Sequence, residues 1–289
     1  MFTKNSKISD IIKNPIFKDF GHLLFPLDDG YYSGNTLNDL KLTWYSNIKP
    51  DKSVEIINTL YNYSKNNIQI FLRIYSEKEI QNNPKLKDVG LFFFPGKPYE
   101  KFAICNAGGA FCYVGAIHDS FPHCLELSKN GYNAFALIYR VNHPYEDLAK
   151  AIEFLYDNSE KLKINKKNYS LWGGSAGARM AAVCGNKEYL FSLTKRKDIP
   201  QCSAIIMQYT GYDDINKYDG NTFVCVGKND WIANWKTMEN RLKNLQKLGI
   251  NTEFHSFDGL GHGFGLGTGT KADGWINYAI QFWENNSNK

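Results

Sequence analysis

From Lys101 onward, apolar runs of strand length alternate with amphipathic stretches of helix length, and this rhythm most narrows the folds open to the chain. The runs are Phe102–Cys105, Asn133–Tyr139, Tyr169–Trp172, Ser203–Tyr209, Thr222–Val226 and Thr252–Phe257. Helical patterns fall between or after them at Tyr145–Leu162, Ala176–Cys184, Thr237–Leu248 and Ala272–Trp283. Continuous apolar strands alternating with helices imply an α/β fold with a mostly parallel central sheet covered on both faces. In such sheets ligands bind beyond the carboxyl ends of the strands. Residues that carry chemistry are therefore expected just after the apolar runs.

Residues 1–98 have a less regular texture. One helical stretch, Val54–Tyr63, and two strand candidates, Ile68–Tyr75 and Val89–Phe94, stand out. The second strand closes on the turn signal Pro95-Gly96. A chain of 289 residues can bury one large core. The expected organisation is an N-terminal extension, 1–98, of added helices and strands packed on the same domain as a catalytic core, 99–289.

Hydrophobic residues make up 43% and charged residues 22%, a globular composition. The formal net charge is +5, but the basic residues are scattered, which argues against a nucleic-acid partner. No apolar stretch resembles a signal peptide or a bilayer span, so no membrane partner and a cytoplasmic location are expected. The six cysteines form no C-x-x-C pair and sit mostly in apolar segments. That pattern suits reduced thiols better than disulfides or zinc ligation.

The segment after Tyr169–Trp172 reads Gly173-Gly-Ser175-Ala-Gly177. A bare G-x-S-x-G is a weak signal. Here a strand precedes it and the helix former Ala-Arg-Met-Ala-Ala follows, which is the context a nucleophile elbow requires. The glycines have a physical task, because side chains at 173 or 177 would collide with the neighbouring strand or helix. The plainer reading is a Gly/Ser turn that joins strand to helix. It loses ground because partners fall in matching places.

After Phe102–Cys105 comes Asn106-Ala107-Gly108-Gly109-Ala110-Phe111. Glycines straight after a strand let backbone N–H groups point inward. Acyl transfer needs such donors for the negative charge that builds on the carbonyl oxygen. The expected donors are Gly109, Ala110 and Ala176, the residue after the serine.

Of six histidines, only His262 lies in a glycine-bordered loop after a strand, Asp258-Gly-Leu-Gly-His-Gly-Phe-Gly, where the imidazole could reach Ser175. Asp230 follows Thr222–Val226 and would orient His262. A turn or helix-capping role for Asp230 is the plainer alternative. Asp213, Asp214 and Asp258 are its rivals. Glu146 and Asp147, after Pro144, read as favourable charge at a helix N-terminus. Phe111, Tyr113 and Trp231 neighbour these loops and are read as substrate-binding, with core packing as the competing role. The glycine-dense run 259–269 matches neither G-x-G-x-x-G nor a P-loop, and no H-E-x-x-H occurs. No metal or organic cofactor is expected.

With these residues assembled, positions 101–285 resemble the esterase/lipase branch of the α/β-hydrolase superfamily, and more narrowly the acetyl-esterase-like and feruloyl-esterase-like hydrolases. The resemblance rests on Ala107-Gly108-Gly109-Ala110-Phe111, Gly173-Gly-Ser175-Ala-Gly177, Gly227-Lys-Asn-Asp230 and Gly261-His262-Gly263-Phe264-Gly265. It departs at the oxyanion loop, where Ala107 and Ala110 replace the histidine and third glycine of His-Gly-Gly-Gly. What the resemblance implies is an α/β-hydrolase fold and a serine hydrolase acting on a small-molecule carboxylic ester. A serine peptidase of the same fold and a non-catalytic hydrolase-fold binding protein are the alternatives. Homo-oligomerisation is left open.

Overall fold

A computed structural model describes residues 1–26 and 30–287. The N-terminal region contains α1 (Ile8–Ile12), a 3₁₀ segment (Pro15–Leu24), β1 (Tyr32–Ser33), β2 (Lys41–Leu42), α2 (Pro50–Lys65), β3 (Phe71–Arg73), α3 (Glu77–Asn82), a second 3₁₀ segment (Pro84–Asp88) and β4 (Gly90–Phe94). It is followed by β5 (Lys101–Asn106), α4 (Ala116–Asp119), α5 (Phe121–Lys129), β6 (Asn133–Ile138), α6 (Pro144–Asp157), α7 (Ser159–Leu162) and β7 (Asn165–Gly174). The chain then forms α8 (Ala176–Gly185), α9 (Lys187–Thr194), β8 (Ala204–Gln208), β9 (Thr222–Gly227), α10 (Trp235–Lys247), β10 (Thr252–Phe257) and α11 (Trp275–Ser287).

Among the described residues the main sheet has eight strands, in the order β10-β9-β8-β7-β5-β6-β4-β3. From β10 to β6 every pairing is parallel, and β4 runs antiparallel to both β6 and β3. Each expected apolar run lies on a strand. The pattern of the runs has a simple cause, because successive side chains of a strand point to opposite faces. In β5, Ala103 and Cys105 pack on one face with α2, α4, α5 and α11. Phe102 and Ile104 pack on the other with α6, α8, α9 and α10. Both faces are covered, so both sets must be apolar. Each fully buried Leu or Phe of such a run contributes about 1.5–3 kcal/mol.

β5 lies between β6 and β7. The chain leaves β5 for β6 on one side and returns to β7 on the other. This reversal places the carboxyl ends of β5 and β7 next to each other, leaving a crevice between the loops that follow them.

The first 98 residues share this core. β3 and β4 extend the sheet, and Phe17, Leu24, Ile56 and Leu60 are wholly buried against the face that holds α5 and α11. Two local expectations need correction. The helix expected over Tyr145–Leu162 is divided into α6 and α7 at Asn158. Asp147 does more than supply charge to a helix N-terminus. Its fully buried carboxylate pairs with Arg140 at 2.6 Å and accepts the Arg140 N–H at 2.8 Å and the Tyr75 hydroxyl at 2.6 Å.

Candidate active site

Four strand ends supply the site. Ser175 lies between β7 and α8 with φ +52° and ψ −118°, a left-handed conformation that is costly for a residue with a Cβ. The surrounding glycines make this turn possible. A side chain at 173 would strike the Gly177 backbone, and one at 177 would strike the carbonyl oxygens of Asn106 and Ala107. The Ser175 N–H is anchored to the Gln208 carbonyl oxygen at 2.9 Å.

His262 stands in the loop after β10, with its Nε2 3.0 Å from Ser175 Oγ. Its Nδ1 is 2.7 Å from Asp230 Oδ2. Asp230 follows β9, and its other oxygen accepts the N–H groups of Ile232 and Ala233, both at 2.8 Å. The turn-aspartate role and the histidine-orienting contact thus belong to one carboxylate, one oxygen each. The Asp230 side chain is wholly buried and that of His262 nearly so, which strengthens their interaction. Among the rivals, Asp213 and Asp214 are exposed on the cleft wall, and Asp258 pairs with Lys228 at 3.0 Å.

The loop after β5 closes on itself, with Gly115 N–H donating to the Gly108 carbonyl at 3.0 Å and Cys112 N–H to that of Gly109 at 2.8 Å. Gly109, Ala110 and Phe111 all have positive φ, at 129°, 54° and 56°. Among the described residues no hydrogen bond engages the N–H of Gly109, Ala110 or Ala176. Ala110 and Ala176 line an open cleft of about 390 Å³ together with Ser175, His262 and Phe111. Arg179, Tyr212, Ile232 and Ala233 form much of the remaining wall.

One of the expected substrate contacts, Tyr113, is corrected, and another, Trp231, stands outside the cleft lining. Tyr113 is 0% exposed. Its ring stacks on Tyr31 and Trp44 at 5.2 and 6.0 Å between ring centroids, so it packs beneath the loop that follows β5 and does not face the cleft. Trp231 is 82% exposed and lies outside the cleft lining, where Ile232 and Ala233 stand instead.

Several residues around the site were not legible from motifs. Residues 44–47 of the N-terminal region strap the histidine loop: Ser46 Oγ donates to the His262 carbonyl at 2.8 Å and Ser46 N–H to that of Gly263 at 3.1 Å. The Tyr209 ring lies 5.1 Å from the His262 ring. Asp119, at the end of α4, is buried behind both loops and accepts hydrogen bonds from Tyr45, Tyr209 and Gly108. No sequence motif marks Asp119, which stands between His118 and Ser120 in a stretch of mixed polarity.

An eight-stranded, mostly parallel sheet with a serine elbow after one strand and a histidine loop after the last defines the α/β-hydrolase class. Residues 97–246, more than half the chain, match the BD-FAE family profile, and the chain belongs to that family. It is similar to endo-1,4-beta-xylanase B of Butyrivibrio fibrisolvens, with 31% identity over 88 residues. That stretch covers 27% of this chain and 13% of the xylanase, so the match spans a small part of that protein's length. Among solved structures it is similar to the acetyl ester-xyloside bifunctional hydrolase of Caldicellulosiruptor lactoaceticus, with a TM-score of 0.62 and 20% identity, covering 74% of this chain and 95% of that one. A thermophilic esterase of Thermogutta terrifontis with propionate bound gives a TM-score of 0.61 and 18% identity over 74% of this chain and 93% of its own.

Proposed function

We propose that the protein is a serine esterase that hydrolyses short-chain carboxylic esters, acetyl esters of sugars among them, through an acyl-enzyme on Ser175. The observation that carries this reading is the continuous hydrogen-bonded line from Ser175 Oγ through His262 to Asp230, with contacts of 3.0 and 2.7 Å. His262 Nε2 accepts the Ser175 proton as Oγ attacks the ester carbonyl. The carbonyl oxygen gains negative charge and is held by the free N–H groups of Gly109, Ala110 and Ala176. Asp230 fixes the imidazole tautomer and stabilises the imidazolium. His262 then hands its proton to the departing alcohol, and water repeats the cycle to release the acid. The small apolar residues Ala110, Ala176 and Ala233 on the cleft wall favour a compact acyl group.

The substrate class is supported by the sugar-directed names of two similar proteins, the xylanase and the acetyl ester-xyloside hydrolase. A reducing, cytoplasmic setting is supported by six free cysteines, five of them buried. Among the described residues no helix is long and apolar enough to cross a membrane.

The test is labelling by a fluorophosphonate probe together with turnover of aryl acetates, acetylated sugars and aminoacyl anilides. Labelling lost in Ser175→Ala, with acetate esters turned over faster than anilides, is the expected result. Ester turnover that survives Ser175→Ala in a folded protein refutes the assignment. Faster anilide cleavage points to a peptidase, and absence of labelling in the unaltered protein to a binding protein.

A further inference from the structure

Asp119 takes no part in the proton relay of Ser175, His262 and Asp230, yet it touches the supports of that site from three directions. It is 2% exposed. Its Oδ2 accepts the Gly108 N–H at 2.6 Å and the Tyr45 hydroxyl at 2.8 Å, and its Oδ1 accepts the Tyr209 hydroxyl. The carboxylate also occupies the space that a side chain at 174 would need. One buried group therefore abuts the residue before Gly109 in the oxyanion loop and the residue before the nucleophile. Through Tyr209 it backs the ring of His262, and through Tyr45 it holds the strap that bonds to the His262 loop.

Burying a carboxylate here is costly. Desolvation pushes the Asp119 carboxyl up to about 6, against the opposing pull of Tyr209, Gly108 and Tyr45. Packing alone does not call for a charge at this position, since an apolar or amide side chain could fill it without that cost. The Gly108 amide gives the carboxylate a geometric role. Gly108 N–H turns inward to Asp119, while the next two amides, of Gly109 and Ala110, carry no internal hydrogen bond. Fixing the first peptide of the loop fixes the plane from which the following two depart.

We propose that Asp119 is a positioning residue for ester hydrolysis: by accepting the Gly108 N–H and the Tyr45 and Tyr209 hydroxyls it sets the oxyanion loop and the His262 ring in register with Ser175. This inference rests on the esterase reading above. It predicts an effect on the reaction's transition state that exceeds any effect on substrate binding, because the oxyanion forms only during the reaction.

The experiment compares the full-length protein with Asp119→Asn, Tyr45→Phe and Tyr209→Phe. It measures kcat and KM on an aryl acetate, inhibition by phenylboronic acid, far-UV circular dichroism and thermal melting. Asp119→Asn is expected to lower kcat about 10- to 100-fold, since loss of one oxyanion donor outright costs about 10²–10³. KM should stay within about threefold, and boronate affinity should weaken in step with kcat, as expected for an adduct that resembles the transition state. Each tyrosine variant should show the same split at smaller amplitude. A lowered melting temperature with unchanged kcat and boronate affinity in the folded protein overturns the proposal, because a purely structural role would do that. If Asp119→Asn does not fold, the two tyrosine variants decide by the same readouts. An unaltered protein that neither hydrolyses esters nor reacts with a fluorophosphonate removes the esterase reading itself. Active protein with indifferent variants removes only the role of Asp119.

Discussion

Asp230 concentrates two duties in one side chain, and its two oxygens can be separated by substitution. In Asp230→Asn the side-chain carbonyl can still accept the Ile232 and Ala233 N–H groups, so the turn should persist. The amide that replaces the other oxygen would face His262 Nδ1 and favour the wrong tautomer. A fall in kcat of about 10⁴ is expected, as for triads elsewhere, while Asp213→Asn and Asp214→Asn should leave kcat within a few-fold. A large loss in either of the latter, measured on the same aryl acetate, would move the orienting role from Asp230 to that residue. At this scale the sequence discloses residues whose chemistry needs a particular chain neighbour: Ser175 between glycines, His262 in a glycine-bordered loop, Asp230 after a strand. It does not disclose Asp119 or Tyr209, because what they do depends on a contact made across 90 residues, and nothing local encodes such a contact. Tyr113 fails as a substrate contact for the same reason. Adjacency in sequence to a catalytic loop does not say which side of the loop a ring will occupy.

Among the elements, α4 and α5 hold a group of titratable residues whose net effect on stability has a definite sign. Burial holds His118 down to about 4 and His123 down to about 3, from the usual 6.5. As pH falls below 6.5, the unfolded chain takes up protons at both rings while the folded chain refuses them, so stability is lost on acidification. Asp119 acts in the opposite sense. Its folded carboxyl binds a proton near pH 6, well above the usual 3.8, which favours the folded state as pH falls. Two histidines against one carboxyl leave the unfolded chain with a net excess of about one bound proton, and so a net loss of stability as pH falls from 6 toward 4. His123→Gln removes one histidine and should nearly flatten the dependence between pH 6 and 5, measured by urea unfolding. An unchanged slope would show that His123 is not held neutral. The same two short helices are also where the sequence pattern is weakest. Gly115–Lys129 mixes Pro, His, Ser and Cys without a clean apolar stripe, because α5 is buried along most of its length and so shows no polar face. The long strands are legible for the opposite reason. A run buried on both sides has only one way to be written.

Over the whole molecule, the N-terminal 98 residues cannot be treated as an accessory. They supply two strands of the main sheet, much of the packing over one face, and the strap at His262. A fragment of residues 99–289 would expose the β6 edge and the apolar surface beneath α2 and β4, which invites edge-to-edge association. It is expected to elute as aggregate in size-exclusion chromatography and to lack protected amides. A monomeric fragment with native-like amide exchange would show instead that the later residues form a self-sufficient core. The alternating rhythm after Lys101 predicts the parallel part of the sheet, and Ile68–Tyr75 and Val89–Phe94 stand out as strand candidates, but nothing local tells that β4 runs antiparallel to both β6 and β3, so that pairing emerges only with the fold.

The left-handed backbone at Ser175 has one more consequence. Holding a non-glycine residue there costs about 1–3 kcal/mol, which the rest of the domain must offset. On the proposed esterase reading, selection for heat resistance would therefore press on the nucleophile's own position. Ser175→Gly should melt several degrees above Ser175→Ala in differential scanning calorimetry, and a glycine variant that melts no higher would mean the turn is relaxed. On that same reading, a thermally hardened relative in which this serine has become glycine would have exchanged its chemistry for endurance.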